Sequence, residues 1–136
     1  MKEFTQEEVA ARLGAARAAA GQAGTARVQQ LKQQAAGNGG QPVEEECGGA
    51  MPLVKLDGRT GLAKTMMRAE HTGVRLSPMK TAKFRGYYGV HVRPDIQGDP
   101  QVNFQNCSIR EKAAEAIAKS LAESFGLKTS VWYWRD

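Results

Sequence analysis

The chain has 136 residues, of which 41% are apolar and 24% are charged, and its formal net charge is +5. This length suffices for one core, and the composition is typical of a globular protein. No apolar run approaches the roughly 18 residues that cross a bilayer, and no apolar stretch of a signal peptide follows Met1, so the sequence excludes a membrane span and predicts a cytoplasmic protein.

Residues 1–50 are predicted to be a helical, flexible N-terminal arm and linker that precede the folded domain. Thr5 and Glu8 form a capping-box pattern in front of an Ala- and Arg-rich helix. We expect Gly21 and Gly24 to interrupt this helix, so that a second helical piece and a Gly-rich linker follow. The arm is expected to bury no core, because its large apolar residues between Thr5 and Gln41 are only Val9, Leu13, Val28 and Leu31.

Residues 51–136 are predicted to form an α+β domain, in which an antiparallel sheet of three to five strands packs on a C-terminal helix in two layers. That helix, 109–125, is the clearest element because apolar residues recur at helical spacing, and Ser108 with Glu111 forms a capping box before it. A short helix is predicted over 61–70. Strands are predicted from β-branched and aromatic content between turn residues, over 52–56, 74–77, 84–93, 101–107 and 129–134.

Alternation along the predicted strands gives each one a mainly apolar side and a mainly polar side. If the apolar sides cover the last helix, the polar sides form one surface with cations, amides and an aromatic ring. Arginine neutralises phosphates, asparagine and glutamine hydrogen-bond to base edges, and tyrosine stacks on bases. An ordinary solvated sheet surface is the alternative. This predicted surface carries Arg75, Arg85, Tyr87, His91, Arg93, Asn103 and Gln105.

Positive charge is concentrated in the middle of the chain. Between residues 59 and 93, eight lysines and arginines accompany a single acid, Glu70. Two of them, Lys80 and Lys83, lie between predicted strands and extend the candidate site. A long stretch of one sign suits an anionic partner such as nucleic acid, although a solvated basic surface has the same pattern.

The order of a helix over 61–70, three strands and a helix over 109–125 resembles that of the double-stranded RNA-binding domain. The stretch 108–114 is similar to the basic start of the last helix in that family. In the family this turn meets phosphates across the groove, which implies phosphate contacts for Arg110 and Lys112.

Residues 72–126 also resemble the Apetala-type DNA-binding domain, whose fold recurs in integrase arm-binding domains. The shared features are a Gly-Val pair at 73–74, a Lys-aromatic pair at 83–84 and an Ala-rich pattern over 113–117. In that family the exposed sheet face enters the major groove, so the resemblance implies DNA contacts for Arg75, Arg85, Tyr87 and Arg93.

The sequence contains no Walker loop, nucleophile elbow or zinc-protease motif. Cys47 and Cys107 are far apart and lack further ligands at metal spacing, so we expect no metal site, no cofactor and no disulfide. His71 and His91 could act as an acid–base pair in RNA cleavage, but a histidine near a basic surface is more often a surface residue. We therefore expect a protein that is not an enzyme.

These patterns favour a small, non-enzymatic nucleic-acid-binding accessory protein of phage or plasmid type, which contacts phosphates and bases through a basic sheet face. The alternative is a protein-binding modulator, such as a phage inhibitor of a host nucleic-acid-handling or defence complex. In either case the N-terminal helices could dock a protein partner or pair two copies of the chain. The choice between DNA and RNA stays open.

Overall fold

The computed structural model describes residues 3–45, 48–69, 72–103 and 106–135. The elements in chain order are helix α1 (Gln6–Gly37), strand β1 (Gly48–Lys55), helix α2 (Gly61–Met67), strand β2 (Val74–Pro78), a 3-10 turn (Ala82–Phe84), strand β3 (Tyr87–Val92), helix α3 (Cys107–Phe125) and strand β4 (Thr129–Arg135). The strands form an antiparallel sheet in the order β2-β3-β1-β4. The predicted α+β class, with an antiparallel sheet packed on the C-terminal helix, is confirmed. Within the described ranges, no helix has the length and apolar character needed to cross a membrane.

Helix α1 is continuous from Gln6 to Gly37, so the predicted interruption at Gly21 and Gly24 is wrong. It begins with the predicted capping box, in which the Thr5 hydroxyl accepts from the Glu8 amide at 3.1 Å. Both glycines are buried, and a Cβ atom on Gly21 would lie 2.6 Å from the Asp95 carbonyl oxygen. Because glycine has no side chain, the segment between β3 and α3 can pack directly against α1 at these two positions. This packing offsets the low helix propensity of glycine.

The first half of α1 belongs to the main core, so the expectation that residues 1–50 bury no core is wrong. Two of the four α1 residues in this core are alanines, and their small side chains let α1 approach α3 closely. The two helices are antiparallel: Phe4 and Phe125 meet edge to face with centroids 5.2 Å apart, and Arg27 Nε donates to Ser108 Oγ at 2.9 Å. The predicted boundary at residue 50 falls inside β1. The buried α1 residues of this core are Val9, Leu13, Ala16 and Ala20.

The main core lies between the sheet and the helices. Val54, Leu76 and Val90 from three strands share one buried cluster with Met66 of α2 and Leu121 of α3. A second, smaller cluster joins the other half of α1 to the chain around the start of α3 and contains Val28, Leu31, Val102 and Ile109.

The strand predicted over 84–93 begins later, at Tyr87. Ala82–Phe84 form a 3-10 turn, and Gly86 has a φ of +82°, a left-handed conformation that glycine adopts without strain. Arg85 therefore precedes the strand, and Arg93 follows it.

The strand predicted over 101–107 is wrong for the described residues of that range. Asp99 Oδ1 accepts the Gln101 amide at 2.9 Å and turns the chain, and Cys107 already begins α3. Val102 is buried in the small cluster with α1, so its apolar character reflects packing on a helix. Gln105 lies outside the described residues.

Helix α3 starts at Cys107 with Asn106 as its N-cap, so the predicted capping box at Ser108 is wrong. The Ser108 hydroxyl lies within the first turn and donates to Glu45 Oε1. The fully buried Asn106 donates from Nδ2 to the Val43 carbonyl at 2.9 Å. The Asn106 side chain makes no capping hydrogen bond, and the Ser108 amide instead donates to Glu45 Oε1 at 3.4 Å, which satisfies one of the first amides of the helix. The end of the helix is as expected, with Gly126 in the left-handed conformation.

Candidate nucleic-acid interface

The side of the sheet that faces away from the helices is the candidate interface, and we call it the free face. Val54 points into the helix-covered core, so its strand neighbours Leu53 and Lys55 point to the other side. The register places Met51 opposite Trp132 and Leu53 opposite Gly89, which extends this face across the sheet. The free face consists of Gly49, Met51, Leu53, Lys55, Arg75, Ser77, Tyr87, Gly89, His91, Ser130, Trp132 and Trp134.

Aromatic side chains form a cluster at the β4 end of the free face. The Trp132 ring centroid lies 5.2 Å from that of Trp134 and 5.9 Å from that of Phe84, which the 3-10 turn brings over the sheet. Leu53 points to this face and is nevertheless fully buried, which is consistent with cover by these rings. Trp132 remains 39% exposed, so the cluster presents aromatic surface to solvent.

One cation lies beside the aromatic cluster, and others lie farther across the free face. Residues 72–94 contain five lysines and arginines and no aspartate or glutamate. Lys83 Nζ lies 5.4 Å from the centroid of the Phe84 ring, a cation–π distance. Lys55 and Arg75 extend from β1 and β2 and are exposed. The free face therefore combines flat apolar rings with positive charge.

The structure keeps part of the predicted surface together. Arg75, Tyr87 and His91 lie on the free face, as alternation predicted. Lys80, Lys83 and Arg85 are exposed in the connection between β2 and β3. The predicted strand position of Arg85 is wrong, since the turn that ends at Gly86 removes it from the sheet.

Asn103 does not belong to the sheet, so its predicted place on the surface is wrong. Its Nδ2 atom lies 3.4 Å from Glu44 Oε2, close to the segment that precedes β1. Lys112 is on α3, where its Nζ lies 3.7 Å from Glu115 Oε2, and it does not share a face with the sheet cations. Gln105 and His71 fall outside the described residues.

A second feature, which we call the β1–β3 cleft, lies where these two strands separate. β1 pairs with β3 only over Leu53–Lys55, although it pairs with β4 along the rest of its length. The Lys55 amide donates to the Lys128 carbonyl on the β4 side at 2.9 Å, so alternation turns position 52 toward β3. Pro52 has no N–H to donate there, which explains why the pairing stops. The resulting cavity measures about 960 Å³.

The β1–β3 cleft gathers predicted residues that the chain places on separate elements. Arg75 and His91 reach it from the free face, Arg93 from the end of β3 and Arg110 from the first turn of α3. Arg17 of α1 also lines it and donates from Nε to the Arg93 carbonyl at 2.9 Å. The two surfaces predicted from the sequence, the sheet face and the start of the last helix, therefore meet in this cleft.

The pKa of His91 reports the electrostatic character of the cleft. Partial burial lowers this pKa from its ordinary value of 6.5, and the positive charge of Arg75 lowers it further. Its Nε2 atom lies 2.7 Å from Ser77 Oγ, so the neutral ring shares a hydrogen bond with that hydroxyl. The neutral imidazole adds no positive charge at neutral pH, and the arginines carry the positive potential.

Several contributors to these surfaces were not among the predicted site residues, including Trp132, Trp134 and Arg17. Trp132 and Trp134 share a strand face in the sequence, but core packing is the more common use of such a pair, and the structure leaves Trp132 partly exposed. Arg17 lies in the segment predicted to be an arm. The signal for its place near the domain is its position beside Ala16 and Ala20, which the structure shows to be buried.

Comparison of the chain with protein-family models, with curated proteins and with solved structures gave no match. The resemblances to the double-stranded RNA-binding and Apetala-type domains therefore stay predictions. Among the described residues, no group of three or more histidine, cysteine, aspartate or glutamate side chains is arranged to hold a metal ion.

Proposed function

We propose that this protein binds nucleic acid through the free face of its sheet, and that it prefers single strands. The observation that carries the proposal is the partly exposed aromatic cluster of Trp132, Trp134 and Phe84, with Lys83 beside it and a stretch of 23 residues, 72–94, without an acid. Single-strand binding commonly combines stacking on aromatic rings with a positive surface that follows the phosphates.

The preference for single strands follows from the kind of side chain that is exposed. A ring can stack on a base only when the base is unstacked, and in a duplex the faces of internal bases are already covered. Asn103, one of the two amides predicted to reach base edges in a groove, is not on this face. Lys83, which lies beside the Phe84 ring, and Lys55 on the same face of the sheet are suited to phosphates on either side of a stacked base.

The test measures binding of short DNA and RNA strands by Trp fluorescence and by anisotropy of a labelled strand. We expect Trp132→Ala to weaken binding by about 5- to 100-fold, the loss of one stacking contact. Tyr133→Ala is the matched control, because Tyr133 is 46% exposed on the same strand but points to the opposite side. Equal affinities of the two variants for single strands would contradict the proposal, and tighter binding of duplex would contradict the strand preference.

A protein partner is the second candidate, and the position of β4 favours it. β4 is an edge strand, and its neighbouring residues Trp132 and Tyr133 are large exposed apolar side chains on opposite sides. Edge strands and exposed aromatic rings are both common features of protein interfaces. In the same pair of variants, loss of a protein complex with either substitution, with no binding of nucleic acid, would favour this function.

A further inference from the structure

The β1–β3 cleft holds positive charge that the described protein does not neutralise. Arg17, Arg75, Arg93 and Arg110 line it together with His91, and no acid is among its lining residues. Within the described ranges, none of these arginines forms an ion pair with aspartate or glutamate. Like charges that converge on one cavity repel one another, and an anion bound between them removes that cost.

We infer that the cleft is a binding pocket for a nucleoside phosphate, either a free nucleotide or the phosphorylated end of a strand. A phosphomonoester carries close to two negative charges at neutral pH and is recognised by arginine through paired hydrogen bonds. The inference rests on the proposed function where the phosphate belongs to a strand, whereas binding of a free nucleotide stands without it.

The arginines retain donors for such a ligand. Arg17 uses Nε for the Arg93 carbonyl, and Arg110 uses Nη1 for the Gly48 carbonyl at 3.0 Å. These bonds hold the side chains in place, and the remaining guanidinium nitrogens make no hydrogen bond to a described residue. Arg75 and Arg93 are exposed and can turn toward an anion at the mouth of the cleft.

The walls of the cleft suit the nucleoside part of the ligand. Its apolar lining consists of largely buried residues, Ala113, Ala114 and Ile117 of α3 with Pro52 and Val90 of the sheet. A volume of about 960 Å³ is at the upper end of the range for small-molecule sites and accommodates a nucleotide. A pocket for a bare inorganic anion would need neither this volume nor these walls.

Where β1 and β3 separate, their backbone groups face the cleft and can hydrogen-bond to the base of a nucleotide. Val90–Val92 pair with β2, and the opposite edge of this segment faces the cleft rather than β1. Backbone N–H and C=O groups alternate in direction along a strand. Those of Val90 and Val92 therefore point into the cleft from β3, and those of Ala50 point into it from β1. Donors and acceptors fixed on strands can hydrogen-bond to a base edge with defined geometry.

The experiment titrates the full chain separately with adenosine monophosphate, adenosine and inorganic phosphate. Calorimetry measures the affinities, and backbone amide NMR shifts locate the binding site. We expect the nucleotide to bind at least about tenfold more tightly than either fragment, with shifts at Ala50, Val90 and Val92. Arg93→Gln, which keeps the backbone carbonyl that Arg17 uses, should weaken nucleotide binding by about tenfold. Arg68→Gln is the matched control, since Arg68 is also exposed but lies at the end of α2, outside the cleft and the free face.

A second arm compares one oligonucleotide with and without a terminal phosphate. A gain in affinity that Arg93→Gln removes identifies the strand end as the source of the ligand, whereas nucleotide binding without this gain identifies a free nucleotide. No binding of the nucleotide and no gain from the terminal phosphate overturns the inference and leaves strand binding by the free face intact. Nucleotide binding without strand binding overturns the proposed function alone.

Discussion

His91 connects the free face to the β1–β3 cleft, so its ionisation reports the charge of both. Arg75 is directly opposite it on β2, and burial together with that charge lowers the His91 pKa below 6.5. We expect Arg75→Gln to raise this pKa toward 6.5, because one of the two causes is removed. NMR titration of the His91 ring protons, assigned with His91→Gln, measures the shift, and an unchanged pKa would show that Arg75 does not act on the ring.

The same pKa has a consequence for stability. Because the folded protein holds the proton less well than the unfolded chain, His91 lowers the free energy of unfolding as pH falls from 6.5 through its folded pKa, and has no such effect well above 6.5. We therefore expect wild type to lose more stability than His91→Gln between pH 7.5 and pH 5. Urea unfolding of both proteins at the two pH values measures this difference, and equal losses would contradict the assignment.

The stability of the helices depends more on how closely they pack than on the helix propensity of their residues. Gly21 of α1 has no room for a methyl group because of the Asp95 carbonyl, whereas a Cβ atom on Gly14 meets nothing within 4 Å. We expect Gly21→Ala to destabilise the protein by about 1–3 kcal/mol through overpacking. Gly14→Ala should stabilise it by up to about 1 kcal/mol through helix propensity. Thermal unfolding compares the two, and stabilisation by Gly21→Ala would contradict the close contact with the Asp95 carbonyl.

Local signals predicted elements well, whereas tertiary packing decided what those elements do. Thr5 and Gly126 mark the beginning of α1 and the end of α3 as expected, because capping chemistry depends on neighbours in the chain. The burial of Ala16 and the exposure of Trp132 depend on which surface covers each residue, and no local pattern contains that information. Val102 shows the same limit. An apolar residue between polar ones is compatible with a strand, but it is equally compatible with a loop that packs one side chain on a helix, as Val102 does.

At the scale of the whole molecule, positive charge and aromatic surface share one side of the sheet, while α3 presents a mixed surface. Glu111, Lys112 and Glu115 alternate in sign on the helix, and Lys112 lies 3.7 Å from Glu115. A strand that follows the free face therefore meets mainly cations, with Asp57 beside Lys55 as a neighbouring acid, whereas a duplex placed against α3 meets both signs. This distribution favours the sheet over the start of α3 as the surface for phosphates.

The salt dependence of binding tests that distribution directly. Each phosphate neutralised on a single strand contributes about −0.7 to the slope of log affinity against log salt, so contacts by the five exposed cations of the free face and its turn predict a slope of roughly −3.5. Lys83→Ala combined with Arg85→Ala should reduce its magnitude by about 1.4. The matched double variant, Lys112→Ala with Lys119→Ala, removes two exposed cations of α3 and should leave the slope unchanged. The reverse outcome would place the phosphates on α3, where the resemblance to double-stranded RNA-binding domains implies a contact for Lys112. The cations counted are Lys55, Arg75, Lys80, Lys83 and Arg85.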